Sequence, residues 1–196
     1  DVLGVAAAGV GVLLIDYEFR SARGGPGAAG PVNMIGAGIH EAVDVGIEVL
    51  AVHALEVSAR LAERGHRVTL AAPDGSRLAQ EAVKANLPVL PLGVSGYVHP
   101  TAVWSLGRFL SRERVDVIHC QHSRDLATIV PAKILSGRAC PILLSKRVGS
   151  YLMKRDPLHR FTYAHVDRVL AISEVIRTNV IATTPAPAER VAGQSF

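Results

Sequence analysis

The sequence predicts an α/β domain in which helices cover both faces of a doubly wound, Rossmann-like parallel sheet. Short runs of Val, Ile and Leu alternate with helical segments along the 196 residues, and these runs are apolar throughout. Parallel strands need crossover connections, which the intervening helices supply. The composition of 49% hydrophobic and 19% charged residues is enough for a buried core and excludes a mainly disordered chain.

The beginning of the chain allows more than one interpretation. Residues 2–15 form the longest apolar run, but a membrane-spanning helix needs about 20 such residues. We interpret the run as a buried strand or helix, with the end of a truncated membrane anchor as the alternative. Residues 21–31 are rich in Gly, Ala and Pro, which is typical of a flexible linker. Residues 1–31 are therefore predicted to be an appendage, non-native or disordered, that precedes a Rossmann-like domain at 32–196.

Periodicity and turn residues predict the first elements of this domain. Its first strand is placed at 32–35 by spacing or at 10–15 by composition. Residues 47–64 repeat apolar side chains with the 3.6 period of a helix, and Gly65 suits the left-handed position that ends one. The next strand, at 67–72, ends at a Pro-Asp-Gly turn.

The remaining strands and helices continue this alternation. Ser76, Ser123 and Ser173 are expected to cap helices, because a serine oxygen accepts a hydrogen bond from an N–H group of the first turn. Pro131 is expected to bend the helix that Ser123 begins, and Trp104 is expected in the core. The strands are predicted at 87–92, 115–120, 141–144 and 168–172, and the helices at 76–85, 101–114, 123–134 and 174–182.

Charge and cysteine content exclude several functional classes. The 21 Lys and Arg exceed the 17 Asp and Glu by only four, and aromatic residues make up 5%, so neither charge nor base stacking indicates nucleic-acid binding. Cys120 and Cys140 form no CxxC pair and indicate no disulfide framework, as in a reduced, cytoplasmic protein. The excess positive charge lies in residues 145–168, where six basic residues face two acidic ones. Such a stretch attracts an anionic membrane, binds a phosphorylated acceptor, or is a solvated face.

A ligand site is expected at one edge of the sheet. Ligands of doubly wound sheets bind beyond the carboxyl ends of the strands, which selects residues 36–46, 73–76, 119–124, 145–149 and 173–174. In the first segment, Gly36, Gly38 and Gly46 are either turn residues or allow a phosphate to approach a helix N-terminus. A complete GxGxxG fingerprint is absent.

The densest group of polar residues follows the strand at 115–120 and comprises His119, His122, Ser123, Arg124 and Asp125. Histidine in this position can hydrogen-bond a ligand hydroxyl or exchange a proton near neutral pH. The alternative is a capped loop without a ligand. A zinc site is not expected, because the two histidines have no clear third ligand. A Ser-His-Asp nucleophile is not indicated either, because no GxSxG elbow is present.

Three segments resemble landmarks of one enzyme family. Residues 48–73 include VSARLAERGHRVTL, residues 115–123 read VDVIHCQHS, and residues 167–174 read DRVLAISE. In this order and spacing, over residues 32–191, they resemble the N-terminal domain of family 4 glycosyltransferases. The resemblance implies a GT-B architecture, in which two Rossmann-like domains face a cleft and bind the acceptor and a nucleotide-sugar donor. It also implies transfer with retention of configuration, without a cofactor or bound metal, to a glycan or lipid-linked acceptor.

The resemblance further implies roles for individual residues. Gly46 would lie on a loop near the donor phosphates and the acceptor. His122 would correspond to the second histidine of the family's HxH pattern, which contacts the transferred sugar, and it is the candidate catalytic residue; His119 precedes it by three positions, one more than in that pattern. Lys146 and Arg147 would lie on the acceptor side of the cleft. Further binding candidates at the strand ends are Ser123, Arg124, Ser173 and Glu174.

Proteins of this family would continue after Phe196 into a donor domain with paired glutamates, which we expect to be missing here. Stabilisation of a leaving diphosphate is chiefly electrostatic, so we expect the 196-residue chain alone to bind acceptor weakly and to have no transferase activity. The expected setting is cell-envelope polysaccharide or lipopolysaccharide synthesis, in the cytoplasm or at the inner face of the membrane. The alternatives are a stand-alone, non-catalytic binding module for a partner protein or membrane surface and a nucleotide-dependent oxidoreductase, which the incomplete glycine fingerprint disfavours.

Overall fold

The computed structural model describes residues 10–15, 34–39, 45–93 and 99–193, with side chains from residue 53 onward. Within this part of the chain, eight strands form one sheet and six α-helices accompany it. The strands are β1 (Val10–Ile15), β2 (Met34–Ile39), β3 (Thr69–Pro73), β4 (Val89–Leu92), β5 (Val117–Cys120), β6 (Ile142–Lys146), β7 (Arg168–Ala171) and β8 (Val191–Gly193). The helices are α1 (Val45–Glu63), α2 (Arg77–Lys84), α3 (Pro100–Arg112), α4 (Leu126–Ser136), α5 (Pro157–Ala164) and α6 (Glu174–Thr183), and 3₁₀ turns occupy Ser123–Asp125 and Ala188–Arg190.

The strand order across the sheet is β4-β3-β1-β2-β5-β6-β7-β8. The pairs β3–β4, β2–β5, β5–β6, β6–β7 and β7–β8 are parallel, whereas β1 runs antiparallel to the strands it pairs with. Cys120 at the end of β5 pairs with Leu144 in β6, and Lys146 at the end of β6 pairs with Ala171 at the end of β7. The carboxyl ends of β5, β6 and β7 therefore lie side by side. The predicted Rossmann-like α/β class is confirmed, with β1 as an antiparallel addition.

Both regions considered for the first strand contribute to the sheet, since β1 spans the candidate at 10–15 and β2 contains residues 34 and 35 of the candidate at 32–35. Val10–Ile15 pairs with Met34–Ile39, so part of the segment predicted as an appendage contributes β1. The predicted linker at 21–31 lies outside the described residues, and the division of the chain at residue 31 stays a prediction.

Short-range signals explain where most helices begin and end. The Ser76 hydroxyl accepts a hydrogen bond from the Ala79 N–H at 3.2 Å at the start of α2, and the Ser173 hydroxyl accepts one from the Ile176 N–H at 3.3 Å at the start of α6. Gly65 adopts a φ of +86° after α1, a left-handed conformation that glycine takes without strain.

The prediction that Ser123 caps a helix is wrong. Ser123 begins the 3₁₀ turn that precedes α4, and the acceptor at the start of this turn is His122 Nδ1, which lies 3.3 Å from the Arg124 N–H. Helix α5 and strand β8 were not expected from the sequence. The Asp156 carboxylate caps α5 by accepting from the His159 N–H at 3.1 Å, and Pro157 occupies the first helical position.

The larger hydrophobic cluster of the described residues lies between the sheet and the helices on its faces, and includes Leu106, Leu110, Ile118, Ile129 and Leu144. Helices α3 and α4 approach closely at Gly107, where a β-carbon would lie 3.1 Å from the carbonyl oxygen of Ala132. The prediction that Trp104 is a core residue is wrong, because its side chain is 57% exposed and lies beneath the Arg108 guanidinium, 5.1 Å from the ring centroid.

Candidate functional site

The predicted polar segments meet at the carboxyl ends of β5 and β6. Residue 120 ends β5, residue 146 ends β6, and the two strands are direct neighbours. The turn at Ser123–Asp125 and the segment 147–156 both start from this edge. This arrangement therefore brings together side chains that are 26 and 31 positions apart in sequence.

His119 forms the buried part of this site. Its Nε2 lies 2.6 Å from the Ser145 hydroxyl, and the Gln121 amide lies 3.4 Å from the same ring. Burial, with a smaller contribution from nearby His53, lowers the pKa of His119 to about 4. At neutral pH this imidazole is therefore uncharged, which suits a role in holding the Ser145 hydroxyl.

Ser123 and Lys154 connect the turn after β5 to the segment after β6. The Lys154 ammonium donates to the buried Ser123 hydroxyl at 3.1 Å. The Tyr163 ring lies close by in the core, and burial raises the pKa of its phenol to about 12 despite the neighbouring Ser123. Ser123 thus serves as an acceptor at the site, which is a different role from the helix cap that the sequence predicts.

Lys146, Lys154 and Arg124 form a group of positive charges at this edge. Burial and then the charge of Lys154 lower the pKa of Lys146 to about 8, and burial and then the charge of Arg124 lower the pKa of Lys154. Within the described residues, no Asp or Glu oxygen lies within 4 Å of the charged nitrogens of these three residues. Lys146 and Lys154 are half-buried and Arg124 is exposed. Cations that repel one another without a nearby carboxylate are suited to binding an anionic ligand.

His53 lies on the third turn of α1, close enough to His119 and Arg147 to interact electrostatically with both, so this helix runs beside the site. Burial and then the positive charge of Arg147 lower the pKa of His53, and His53 in turn lowers the pKa of His119. Gly46 is the second residue of the same helix. The expectation that Gly46 lies on a loop is therefore wrong in detail, since this glycine belongs to the first turn of α1.

The last two candidates lie where α6 begins. The N–H of Ile172 donates to the Lys146 carbonyl at 3.0 Å, which places the start of α6 next to the end of β6. Ser173 is engaged as the cap of α6. Glu174 is exposed and accepts from Arg177 at 2.7 Å on its own helix.

Four residues of this site were not singled out as binding candidates: His53, Gln121, Ser145 and Lys154. Gln121 and Ser145 nevertheless lie in the segments 119–124 and 145–149 that the strand-end rule selects, and Lys154 lies in the basic stretch 145–168. Only His53 lies outside every segment predicted for the site, because its proximity to His119 and Arg147 arises from the position of α1.

Neither a metal-binding cluster nor a membrane-spanning helix is present among the described residues. No group of three or more His, Cys, Asp and Glu side chains in the described ranges could hold a metal ion. None of the helices described is both long and apolar enough to cross a bilayer.

Comparison with protein families assigns most of the chain to one family. The model of "Glycosyltransferase Family 4" matches residues 50–192. A solved glycosyltransferase from Rickettsia africae ESF-5 is similar in fold, with 16% identity and a TM-score of 0.57 over 82% of this chain and 41% of that chain. Anabaena Alr3699/HepE, solved in complex with UDP-glucose, has 13% identity and a TM-score of 0.43 over 60% of this chain and 33% of that chain. No curated protein matches the chain. The chain thus spans about two fifths of the length of the Rickettsia structure.

Proposed function

The chain belongs to glycosyltransferase family 4, and on this premise we propose that it contributes the acceptor side of an enzyme that transfers a sugar from a nucleotide-sugar donor to a glycan or lipid-linked acceptor. We propose transfer with retention of configuration and without a bound metal. The chain spans about two fifths of the solved glycosyltransferase, so we assign to it acceptor binding and not the complete reaction.

The observation that carries the proposal is the group of cations at the carboxyl ends of β5 and β6. Lys146, Lys154 and Arg124 lie where ligands of such sheets bind, and no carboxylate among the described residues pairs with them. A phosphate group on the acceptor would supply the missing negative charge. It would accept hydrogen bonds from the two ammonium groups and the guanidinium.

We assign a separate role to each of the two histidines of the site. His119 is uncharged at neutral pH and hydrogen-bonded to Ser145, so we assign it a positioning role. His122 accepts the Arg124 N–H at Nδ1, and an imidazole that accepts at Nδ1 carries its proton on Nε2. We propose that this Nε2–H group is the donor that contacts the transferred sugar.

Binding of glucose 1-phosphate, measured by isothermal titration calorimetry, tests the acceptor site. We expect weak binding that decreases with added salt, because charge–charge contacts are screened. The double variant Lys146→Met, Lys154→Met should weaken this binding about tenfold or more. The control variant Lys84→Met removes an exposed lysine that is paired with Glu81 on α2, and it should bind like the wild type. Equal binding by the double variant, or equal binding of glucose without the phosphate, would contradict the proposal.

Turnover by the 196-residue chain provides a second test. Incubated with UDP-glucose, GDP-mannose and ADP-glucose in turn, the chain alone should release no nucleoside diphosphate. Release of diphosphate would show that the chain binds and activates the donor as well, and would refute the assignment of the acceptor side alone.

A further inference from the structure

The segment that follows β6 exposes large apolar side chains in succession. Tyr151 is fully exposed, Leu152 is 76% exposed, and Val148 and Met153 are also exposed. Helix α5, which begins four residues after Met153, adds the exposed side chains of Leu158 and Phe161, one turn apart. Soluble monomers rarely present such groups together unless the surface binds something.

Hydrogen bonds to α6 fix the backbone of this segment. The Ser150 N–H donates to Asn179 Oδ1 at 2.7 Å, and the Asn179 amide donates to the Ser150 carbonyl at 3.1 Å. The Lys154 N–H donates to the Thr183 carbonyl at 2.7 Å. The apolar side chains are therefore presented on an anchored backbone, which lowers the entropy lost when a surface binds them.

Positive charge borders the apolar side chains. Arg155 and Arg160 are exposed, and the Arg160 Nε donates to the Arg155 carbonyl at 3.0 Å, so the two residues are neighbours. Within the described residues, neither guanidinium lies within 4 Å of a carboxylate oxygen. The one acidic residue between them, Asp156, is engaged with His159.

We propose that Val148, residues 151–153, Leu158 and Phe161, bordered by Arg155 and Arg160, form a surface that docks on an anionic lipid bilayer. A tyrosine, leucine and methionine beside arginines suit the boundary between acyl chains and anionic headgroups, where apolar groups insert and cations remain at the phosphates. The segment starts two residues after Lys146, so docking would place the edge with the cation group close to the bilayer. This proposal does not depend on the identity of the acceptor.

Co-sedimentation of the chain with vesicles tests the docking surface. The chain should bind vesicles of phosphatidylcholine mixed with phosphatidylglycerol, and bind phosphatidylcholine alone much more weakly. The variant Tyr151→Ser, Leu152→Ser, Met153→Ser should lower the partition coefficient about tenfold or more, since each large side chain contributes strongly to apolar transfer. The control Val83→Ser, Ile134→Ser alters exposed apolar residues on α2 and α4 and should bind like the wild type. The variant Arg155→Gln, Arg160→Gln should lose the preference for the anionic vesicles.

Insertion can also be followed with position 151 kept aromatic. The variant Tyr151→Trp, Trp104→Phe has a single tryptophan, whose fluorescence reports the environment of position 151. Its emission should shift to the blue on vesicles containing phosphatidylglycerol. The proposal is overturned if this emission stays unchanged, if the serine and control variants bind alike, or if the chain prefers neutral vesicles. The proposal is also overturned if the wild type binds no vesicles and forms a dimer that the serine substitutions dissociate. In that case a second copy of the chain would cover the surface.

Discussion

Replacement of Lys146 by methionine should stabilise the folded chain near neutral pH while it weakens anion binding. Lys146 lies half-buried, and its pKa falls from an ordinary 10.5 to about 8 on folding because burial and Lys154 disfavour its charge. The unfolded chain therefore holds the proton more tightly than the folded chain. In this situation the stability of the wild type rises with pH between the two pKa values. Methionine fills a similar volume and carries no proton, so Lys146→Met removes this pH dependence.

The size of the effect follows from the two pKa values. One pKa unit corresponds to about 1.4 kcal/mol. When the pH rises from about 7 to about 9.5, Lys146 of the folded wild type loses its proton at a pH of about 8, whereas the unfolded chain keeps it. Over the remaining span of about 1.5 pH units, the wild type therefore gains about 2 kcal/mol of stability from this group. Urea unfolding of both proteins at these two pH values measures it. The advantage of Lys146→Met at the lower pH should shrink by about 2 kcal/mol at the higher pH.

Comparison of the two proteins cancels the titration of all other groups that do not contact residue 146. Lys84→Met, on exposed α2, serves as the control and should stay within about 0.5 kcal/mol of the wild type. A difference between Lys146→Met and the wild type that is constant with pH would refute the reasoning, because Lys146 would then be as well solvated in the folded state as in the unfolded chain. Pyrophosphate should raise the wild-type midpoint at neutral pH more than that of Lys146→Met, since a bound anion offsets the repulsion.

Three further outcomes are expected. The pKa of His119 falls from 6.5 to about 4 on folding, so the unfolded chain binds the proton first as the pH falls. The wild type should therefore lose about 3 kcal/mol of stability from this group between pH values of about 6.5 and about 4. His119→Gln should remove this loss from a plot of unfolding free energy against pH, and an unchanged plot would show that the imidazole is solvated. Burial raises the pKa of the Cys120 thiol well above its ordinary value. A thiol reagent should therefore label Cys120 at least about 100-fold more slowly in the folded chain than in urea, as measured by mass spectrometry. Comparable labelling rates would contradict the burial of Cys120. Asn179→Ala removes both side-chain hydrogen bonds to Ser150 and should lower the unfolding free energy by about 1–2 kcal/mol. Hydrogen exchange of the backbone amides in residues 147–153 should become faster. Unchanged exchange rates would show that other contacts hold this segment.

The elements of the fold were largely predictable because their signals are local. The 3.6 period before Gly65, the Pro-Asp-Gly turn and the serine before α6 each act within a few residues. Helix α5 also carries a local signal, the pair Asp156-Pro157, but residues 145–168 were interpreted by their charge and no helix was predicted there. The antiparallel direction of β1 has no local signal, because its partners are β2, β3 and β5.

The site was predictable in position and not in its contacts. The rule that ligands bind beyond the carboxyl ends of parallel strands selected the segments containing His119 and Lys146. The pairs His119–Ser145 and Lys154–Ser123 join residues 26 and 31 positions apart. Those contacts depend on the register between β5 and β6 and on the path of the segment that α6 holds, neither of which the residue pattern encodes. The interpretation of Trp104 as core failed for a different reason. It rested on residue type, whereas the 3.6 period places Trp104 on the side of α3 opposite the buried Leu106 and Leu110.

Lys154 connects the end of α6 to the turn that follows β5. Its backbone N–H is held by the Thr183 carbonyl at the end of α6, and its ammonium is held by the Ser123 hydroxyl beside β5. A displacement of the exposed segment relative to the sheet must therefore strain one of these two bonds and shift a positive charge next to Lys146. If a bilayer displaces the segment in this way, it alters the affinity of the edge for phosphate, and by thermodynamic reciprocity a phosphate bound at the edge alters adhesion to the bilayer by the same factor.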